Sequence, residues 1–542
     1  MNSYVEGKPI APPLPYESMV EILNHLENDI KSLHSCVLVN RHWCRESMSH
    51  LWVEPFTKKL SDKSILSLLE TYFRCLKDED KTLLRIEVGN ILPTTSTTRP
   101  FFNYASFLKK LNTRLLGHSV SVLVNLEENL YSCNKNKSEI TNLMLKALYK
   151  LFIESGAILN SLTLDVSSGS MDIAAKIPLF RKNLNFISNI RKLNCIFSNP
   201  SSEIFYNMSD LWDELPRICT RIRILDIDAN DMHWSSGQTL ADLIKSQTEL
   251  SNVKFRSSGS RVTSAIAMLA KKSDTLTSLE FEYIDFRKVS LDGLESCTKL
   301  EKLRFIGANN CNINTFLPLI NAKCKIKTLE LNEIDDSQSL ITLLENVGWS
   351  LEHLIIHPII NSLMEILPTY CPNITYLNIL VSSPFIPQLL SLVSGCQLEY
   401  LVIRTNSIND SEIIVNEMGR VIPSSLHYLE FLMPLTSSQL NTFLMDCQAP
   451  LKTLIVDSSP YIFLTDSHIN AIRNFTIRKG TLKYVSIGIG GLNIDHDRLY
   501  IEEIGRYLNF LPVDKVMKFI GSNDQIFNLF RITQDASDIQ YF

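Results

Sequence analysis

No C-x-x-C pair occurs among the twelve cysteines, and none stands with histidine at a zinc-binding spacing. Neither a structural zinc site nor a thioredoxin-type pair is therefore encoded. The thiols read as free, as in a reducing compartment. Neither sign of charge dominates: 53 Lys and Arg face 58 Asp and Glu, a balance of -5, which excludes whole-chain attraction to nucleic acid or an anionic membrane. The phosphate-binding pattern G-x-x-x-x-G-K-[ST] is missing, and Gly488, Gly490 and Gly491 in SIGIGGLNIDHD lack the strand-to-helix context of a dinucleotide fingerprint, so they read as a turn. There is no G-x-S-x-G nucleophile elbow, and His496-x-Asp is nonspecific. His353 and His357 have the i,i+4 spacing of a helical zinc pair, but HLIIH has no Glu and falls on an expected strand, where that separation spans about 13 Å. The expectation is a chain with no catalytic residues, no metal and no cofactor.

Long unbroken apolar runs are also missing. Ile366 to Leu398 carries no charge, but Pro368, Pro372, Pro384 and Pro387 interrupt it, and a bilayer helix needs about 20 continuous apolar residues. Residues 1–13 are polar and proline-rich, read as disordered and unlike a signal peptide. The expected setting is the cytoplasm or nucleus, without membrane or nucleic-acid partners.

What is present is a core and a repeat. The chain has 542 residues, 45% of them hydrophobic, enough for several domains or one long array. The pattern L-x-x-L-x-L, with other apolar residues sometimes replacing Leu, recurs thirteen times between Leu159 and Leu482, as in LTSLEF, LEKLRF, IKTLEL, LEHLII and LEYLVI. The mean spacing is about 27 residues, inside the range of leucine-rich repeats. Within each copy the fourth and sixth positions alternate with their neighbours, as on a strand with one buried face, and a helix-length segment such as SQSLITLLENV follows. Neither element can bury its apolar face alone, so neighbours must stack. Cys219, Cys297, Cys324, Cys371, Cys396 and Cys447 recur two to four residues ahead of a repeat start, a phase-locking that suits small apolar side chains packed where helix meets strand.

These copies resemble leucine-rich-repeat proteins over residues 159–490. The resemblance implies an α/β solenoid, a curved parallel sheet with outer helices, with residues 491–542 as its C-terminal cap. The family's Asn or Cys nine positions into the unit is found only as Asn230 and Asn406, so the side-chain ladder that goes with regular curvature is largely missing. Residues 57–158 read either as degenerate first repeats or as a packing adapter, with TLLRIEV near Thr82 as a strand.

The segment 14–56 differs. Pro15 suits a helix start with Glu17 in its first turn, Met19, Ile22, Leu23 and Leu26 form a helical stripe, and Asn28 or Asp29 can cap a second helix bearing Ile30, Leu33 and Val37. A third segment carries Trp43, Met48, Leu51 and Trp52. About forty residues cannot bury all these groups alone. Leu14-Pro15-x-Glu17, Ile22-Leu23, Leu26, Asp29-Ile30, Leu33, Val39, Arg41, Trp43 and Leu51-Trp52 resemble an F-box. The resemblance implies a small three-helix module that docks on a Skp-type adaptor and, through it, on cullin and RING subunits of a ubiquitin ligase. The repeats would then hold an unknown protein substrate. Leu14, Pro15, Ile22, Leu26, Leu33, Val39 and Trp43 are the expected adaptor face, with internal packing as the alternative role for each. The alternative for the whole chain is a leucine-rich-repeat scaffold or inhibitor with no ubiquitin role.

On an expected concave face, the aromatic residues before the fourth position all fall in the late repeats: Tyr376, Tyr400, Tyr428 and Tyr484, with His353 ahead of them and Thr453 between the last two. With Ile355, Leu380, Val402 and Leu432 they form an expected exposed patch for the target. The competing reading is a tyrosine ladder that stabilises neighbouring strands. On the exposed reading, alanine at Tyr400 and Tyr428 should abolish target capture without unfolding the array.

Overall fold

The computed structural model describes residues 14–488 together with 509–510, except 28, 58–59, 89–99, 127–135, 166–179, 181–182, 197–211, 229–237, 257–261, 335, 406 and 458–465. The ladder positions Asn230 and Asn406, and the expected cap 491–542 apart from Asn509–Phe510, lie outside the described residues. The chain divides into two compact units, Met1–Thr275 and Leu276–Phe542.

Each L-x-x-L-x-L copy forms a five-residue strand beginning at its third position. In the first unit these are β2 (Ser161–Asp165), β3 (Lys192–Ile196), β4 (Ile224–Asp228) and β5 (Asn252–Arg256). They pair in parallel and in sequence order. In the second unit, β6 (Ser278–Glu282), β7 (Lys302–Ile306), β8 (Thr328–Asn332), β9 (His353–His357), β10 (Tyr376–Leu380), β11 (Tyr400–Arg404), β12 (Tyr428–Leu432), β13 (Thr453–Asp457) and β14 (Tyr484–Gly488) pair in the same manner. A further short strand, β15 (Asn509–Phe510), joins β14.

Parallel strands that advance one neighbour at a time, with right-handed crossovers, place every connection on the same sheet face. The register then stacks like on like: Leu377 against Leu401 against Leu429, and Ile379 against Ile403 against Phe431. These side chains are fully buried. Rings tie the strands to the helices that cover them, Phe305 meeting Phe316 of helix Ile313–Asn321 at 5.4 Å and Phe431 meeting Phe443 of helix Ser437–Asp446 at 5.0 Å, both edge to face. The helices begin where side chains supply caps: Asp336 accepts from Ser339 N, and Thr436 forms a reciprocal box with Gln439. The architecture is the α/β leucine-rich-repeat solenoid that the repeat pattern predicts.

The parallel ladder starts earlier than Leu159. β1 (Lys110–Asn112) pairs with β2, setting Leu111 beside Leu162. The sixth position of this copy is Thr113, whose hydroxyl accepts from Asp165 N at 3.0 Å. A polar residue in an apolar position hides the copy from a leucine search. The expected strand near Thr82 is instead part of a helix, Asp78–Val88. Its first turn holds Asp78, Glu79 and Asp80, which favour the positive end of a helix dipole, and it buries Leu84 and Val88 one turn apart.

The charge-free stretch 366–398 breaks into the end of helix Asn361–Tyr370, strand β10 and helix Ile386–Gly395. Among the described residues no helix is long and apolar enough to cross a membrane. The eleven described cysteines are free, and the six that precede repeat starts are buried. Cys219 Sγ donates to Ile187 O at 3.2 Å and Cys324 Sγ to Cys297 O at 3.0 Å. Burial pushes the Cys219 and Cys371 thiols up to about 12.

Leu329 stands in the middle of the fully buried leucine stack. Leu329→Ala should cost about 2–5 kcal/mol, read as a lowered urea midpoint. A shift equivalent to less than about 1 kcal/mol would contradict close packing of that stack.

Candidate interaction surfaces

The N-terminal segment forms three helices, α1 (Tyr16–His25), α2 (Ile30–Val37) and α3 (Arg41–Leu51). Pro15 is the N-cap of α1 and Glu17 lies in the first turn. Asp29 caps α2, accepting from Ser32 N at 3.1 Å and Ser32 Oγ at 2.7 Å. Asn40 caps α3, accepting from His42 N and Trp43 N at 2.9 and 3.0 Å. The core is Met19, Leu23 and Leu33, with Leu26, Cys36, Trp43 and Leu51 packed around it.

This divides the expected adaptor residues. Leu33, only 1% exposed, is an internal residue, and Leu26 and Trp43 contribute much of their surface to the same core. An internal place, not the outer face, is the correction for Leu33: its helix turns it toward Met19 and Leu23. Leu14, Pro15, Ile22 and Val39 are exposed, Val39 at 61%. Three exposed apolar residues were missed, Tyr16, Ile30 and Leu38. Spacing alone did not separate them: Ile22 shares the stripe of Met19, Leu23 and Leu26, and Ile30 the apolar set of Leu33 and Val37, so outward and inward apolar residues stand side by side in the sequence. Trp52 leaves the module, with ring centroids 5.3 Å from Tyr72 and 4.2 Å from Tyr104. Tyr72 also meets Phe56 and Phe152, so aromatic packing seats the three helices on the rest of their unit.

In the second unit, the strand face opposite the leucines carries three rows. In the first, Tyr376, Tyr400 and Tyr428 stand in register, with ring centroids 6.3 and 5.7 Å apart, and His353 lies 5.7 Å from Tyr376. Ile355, Tyr376, Val402, Tyr428 and Ile455 form a buried cluster, with Tyr400 and Leu432 packed against it. Tyr376 is 4% exposed and Tyr428 5%. The expectation of an exposed tyrosine patch is therefore corrected for Tyr376 and Tyr428, and likewise for Ile355 and Val402: adjacent strands sit about 4.8 Å apart, so in-register side chains cover one another. His353, Leu380, Tyr400, Leu432 and Tyr484 remain half-buried.

The middle row begins with ions. Arg304 donates to Glu280 at 2.6 Å and to Glu330 at 2.5 Å, all three buried. Further along, Tyr428 OH donates to Glu430 at 2.8 Å. His357 Nε2 donates to Asn378 Oδ1 at 2.7 Å. Burial, then the nearby Arg404 guanidinium, pushes the His357 imidazole down to about 4; burial also lowers His353. Among the described residues no group of three or more His, Cys, Asp or Glu is placed to hold a metal ion.

No family model matches the sequence, and no curated protein matches it. Among solved structures the chain is similar to an internalin (InlF) from Listeria monocytogenes, with 17% identity over 57% of this chain and 78% of that one and a TM-score of 0.26. It is also similar to a chain from the crystal structure of the Rad7 and Elc1 complex in yeast, with 12% identity over 55% of this chain and 87% of that one and a TM-score of 0.32.

Two outcomes follow. Tyr428→Ala empties a buried site and removes the phenol from Glu430, and should cost about 3–5 kcal/mol, against roughly 1 kcal/mol for half-buried Tyr400→Ala. Equal losses in thermal melts would contradict the burial difference, and a target-capture test should use Tyr400→Ala alone. His357 has a folded value near 4, below its ordinary 6.5, so its neutral form stabilises the fold fully above 6.5 and that contribution is lost as pH falls toward 4. Wild type should lose more stability between pH 7 and pH 5 than His357→Gln, which keeps a donor for Asn378; parallel losses would rule this out.

Proposed function

We propose that this chain is a non-catalytic substrate receptor of a Skp-cullin-F-box ubiquitin ligase. The observation that carries the reading is the division of labour in α1 to α3. Met19, Leu23 and Leu33 close the core, while Leu14, Pro15, Ile22 and Val39, together with Tyr16, Ile30 and Leu38, leave apolar groups on the surface. Apolar surface of this kind marks a protein interface. A Skp-type adaptor fits it, given the F-box-like order Leu14-Pro15-x-Glu17 through Leu51-Trp52, and cullin and RING subunits would follow through that adaptor.

The repeats would hold the target protein, with Tyr400 and Leu432 over the buried tyrosine cluster and His353, Leu380 and Tyr484 beside it as contact residues. The chemistry then belongs to other subunits. This chain contributes proximity, because two binding surfaces on one polypeptide raise the concentration of target lysines at the ubiquitin-charged enzyme. Such a receptor works in the cytoplasm or nucleus.

Co-purification of a Skp-type adaptor with the intact chain and with Leu14→Ala, Pro15→Ala tests the reading. Both residues are exposed, so the variant should fold. A complex weakened tenfold or more, about 1.4 kcal/mol, is expected. A folded chain that captures no adaptor would move the assignment to a leucine-rich-repeat scaffold with no ubiquitin role.

A further inference from the structure

The residues that lead into the strands of the first unit carry a concentration of positive charge. The backbone ladder sets Lys109, Asn160, Arg191, Arg223 and Ser251 side by side. Asn160 N donates to Lys109 O at 2.8 Å, Arg191 N to Asn160 O at 2.7 Å, Arg223 N to Arg191 O at 2.8 Å and Ser251 N to Arg223 O at 3.0 Å. At about 4.8 Å per strand, Lys109 and Arg223 bound a row of roughly 14 Å. Arg221 precedes Arg223 by two residues, and Lys192 follows Arg191.

Three of these cations converge on one anion. Arg191, Arg221 and Arg223 donate to the Glu249 carboxylate at 2.9, 2.8 and 2.7 Å. Arg221, then Arg223, holds that carboxyl down at about 2, so it stays ionised at any ordinary pH and neutralises one of three charges. Arg221 and Arg223 have side chains 55% and 59% exposed. Each uses one donor on Glu249, and a guanidinium has five N–H groups. Lys109 and Lys192 add two exposed ammonium groups. The carboxylates Asp165 and Asp228 lie at the far ends of their strands, paired with Arg114 and Arg256. In a chain of net charge -5, this strand-start edge is locally basic.

We infer that the strand-start edge centred on Arg191, Arg221 and Arg223 is a docking surface for an extended, carboxylate-rich segment of a protein. Glu249 acts as a buttress: it holds three flexible side chains in place before binding, so less conformational entropy is lost when the partner arrives. Guanidinium forks match carboxylates in a two-point geometry, which favours arginine at such a surface. Single-stranded nucleic acid would want aromatic rings among the cations, and this row, Lys109, Asn160, Arg191, Arg223 and Ser251, contains none. The inference rests on the chain being a protein receptor, and it assigns a second contact, on the first unit, to an acidic stretch of the target.

The test uses the full-length protein and a fluorescein-labelled ten-residue peptide of alternating Glu and Ala, read by anisotropy at 50 and 200 mM salt. Binding that weakens with salt, and weakens at least tenfold in Arg221→Ala, Arg223→Ala, is the expected result. The control Lys327→Ala, Arg420→Ala removes the same charge from the second unit and should leave affinity unchanged. If the alanine pair melts early, Arg221→Gln, Arg223→Gln keeps the polar length and takes its place. No binding at 50 mM salt, equal binding by the variant, or tighter binding of an oligothymidine of equal charge would each overturn the inference. Adaptor capture, measured on the same preparations, involves none of these arginines, so failure of that reading and failure of this one are separable.

Discussion

An in-register stack of apolar side chains on one face of each run of parallel strands is the constraint on which the rest depends. A strand of five residues cannot bury its fourth- and sixth-position side chains by itself. It borrows cover from the helix that follows and from the equivalent residues one strand away, as Leu401 does from Leu377 and Leu429. Register is therefore not adjustable. A slip of one residue would turn the whole apolar set out and the polar set in. Every other feature, including the rows on the opposite face and the alignment of the turns that enter the strands, inherits its spacing from that stack.

The opposite face shows how the same spacing serves two ends. Where the rows are apolar, Ile355, Tyr376, Val402, Tyr428 and Ile455 close on one another. Where they are charged, Arg304 sits between Glu280 and Glu330. A buried trio of this kind contributes little net stability over an apolar equivalent, but removing one member leaves an uncompensated charge. It therefore restricts which strands can lie next to each other more than it strengthens the contact between them.

Most of the fold was legible because the repeat writes its buried positions in leucine at nearly every copy. It failed where chemistry departed from that alphabet. Thr113 occupies a sixth position through a hydrogen bond, so β1 was hidden. The segment around Thr82 looked extended by composition, yet three acidic residues in one turn favour a helix. The exposed side of the three N-terminal helices was half legible: a list of apolar positions cannot say which point inward until the helices cross, and Leu33 points inward. The tyrosines were legible as a row but not as buried. Burial is set by the neighbours on either side, which a single strand's sequence does not contain.

The cysteines give the repeated junction a chemical character of its own. Each of the six buried thiols that precede a repeat start lies in the seam where one repeat hands over to the next, and burial keeps those at Cys219 and Cys371 protonated and hence unreactive. A seam that opens momentarily exposes its own thiol while its distant counterparts stay sealed, because repeat stability is largely local. Oxidation there would add polar oxygen in a space sized for sulfur and wedge the seam apart. The effect of such a change would stay with the seam that carried it, since each repeat leans mainly on its immediate neighbours.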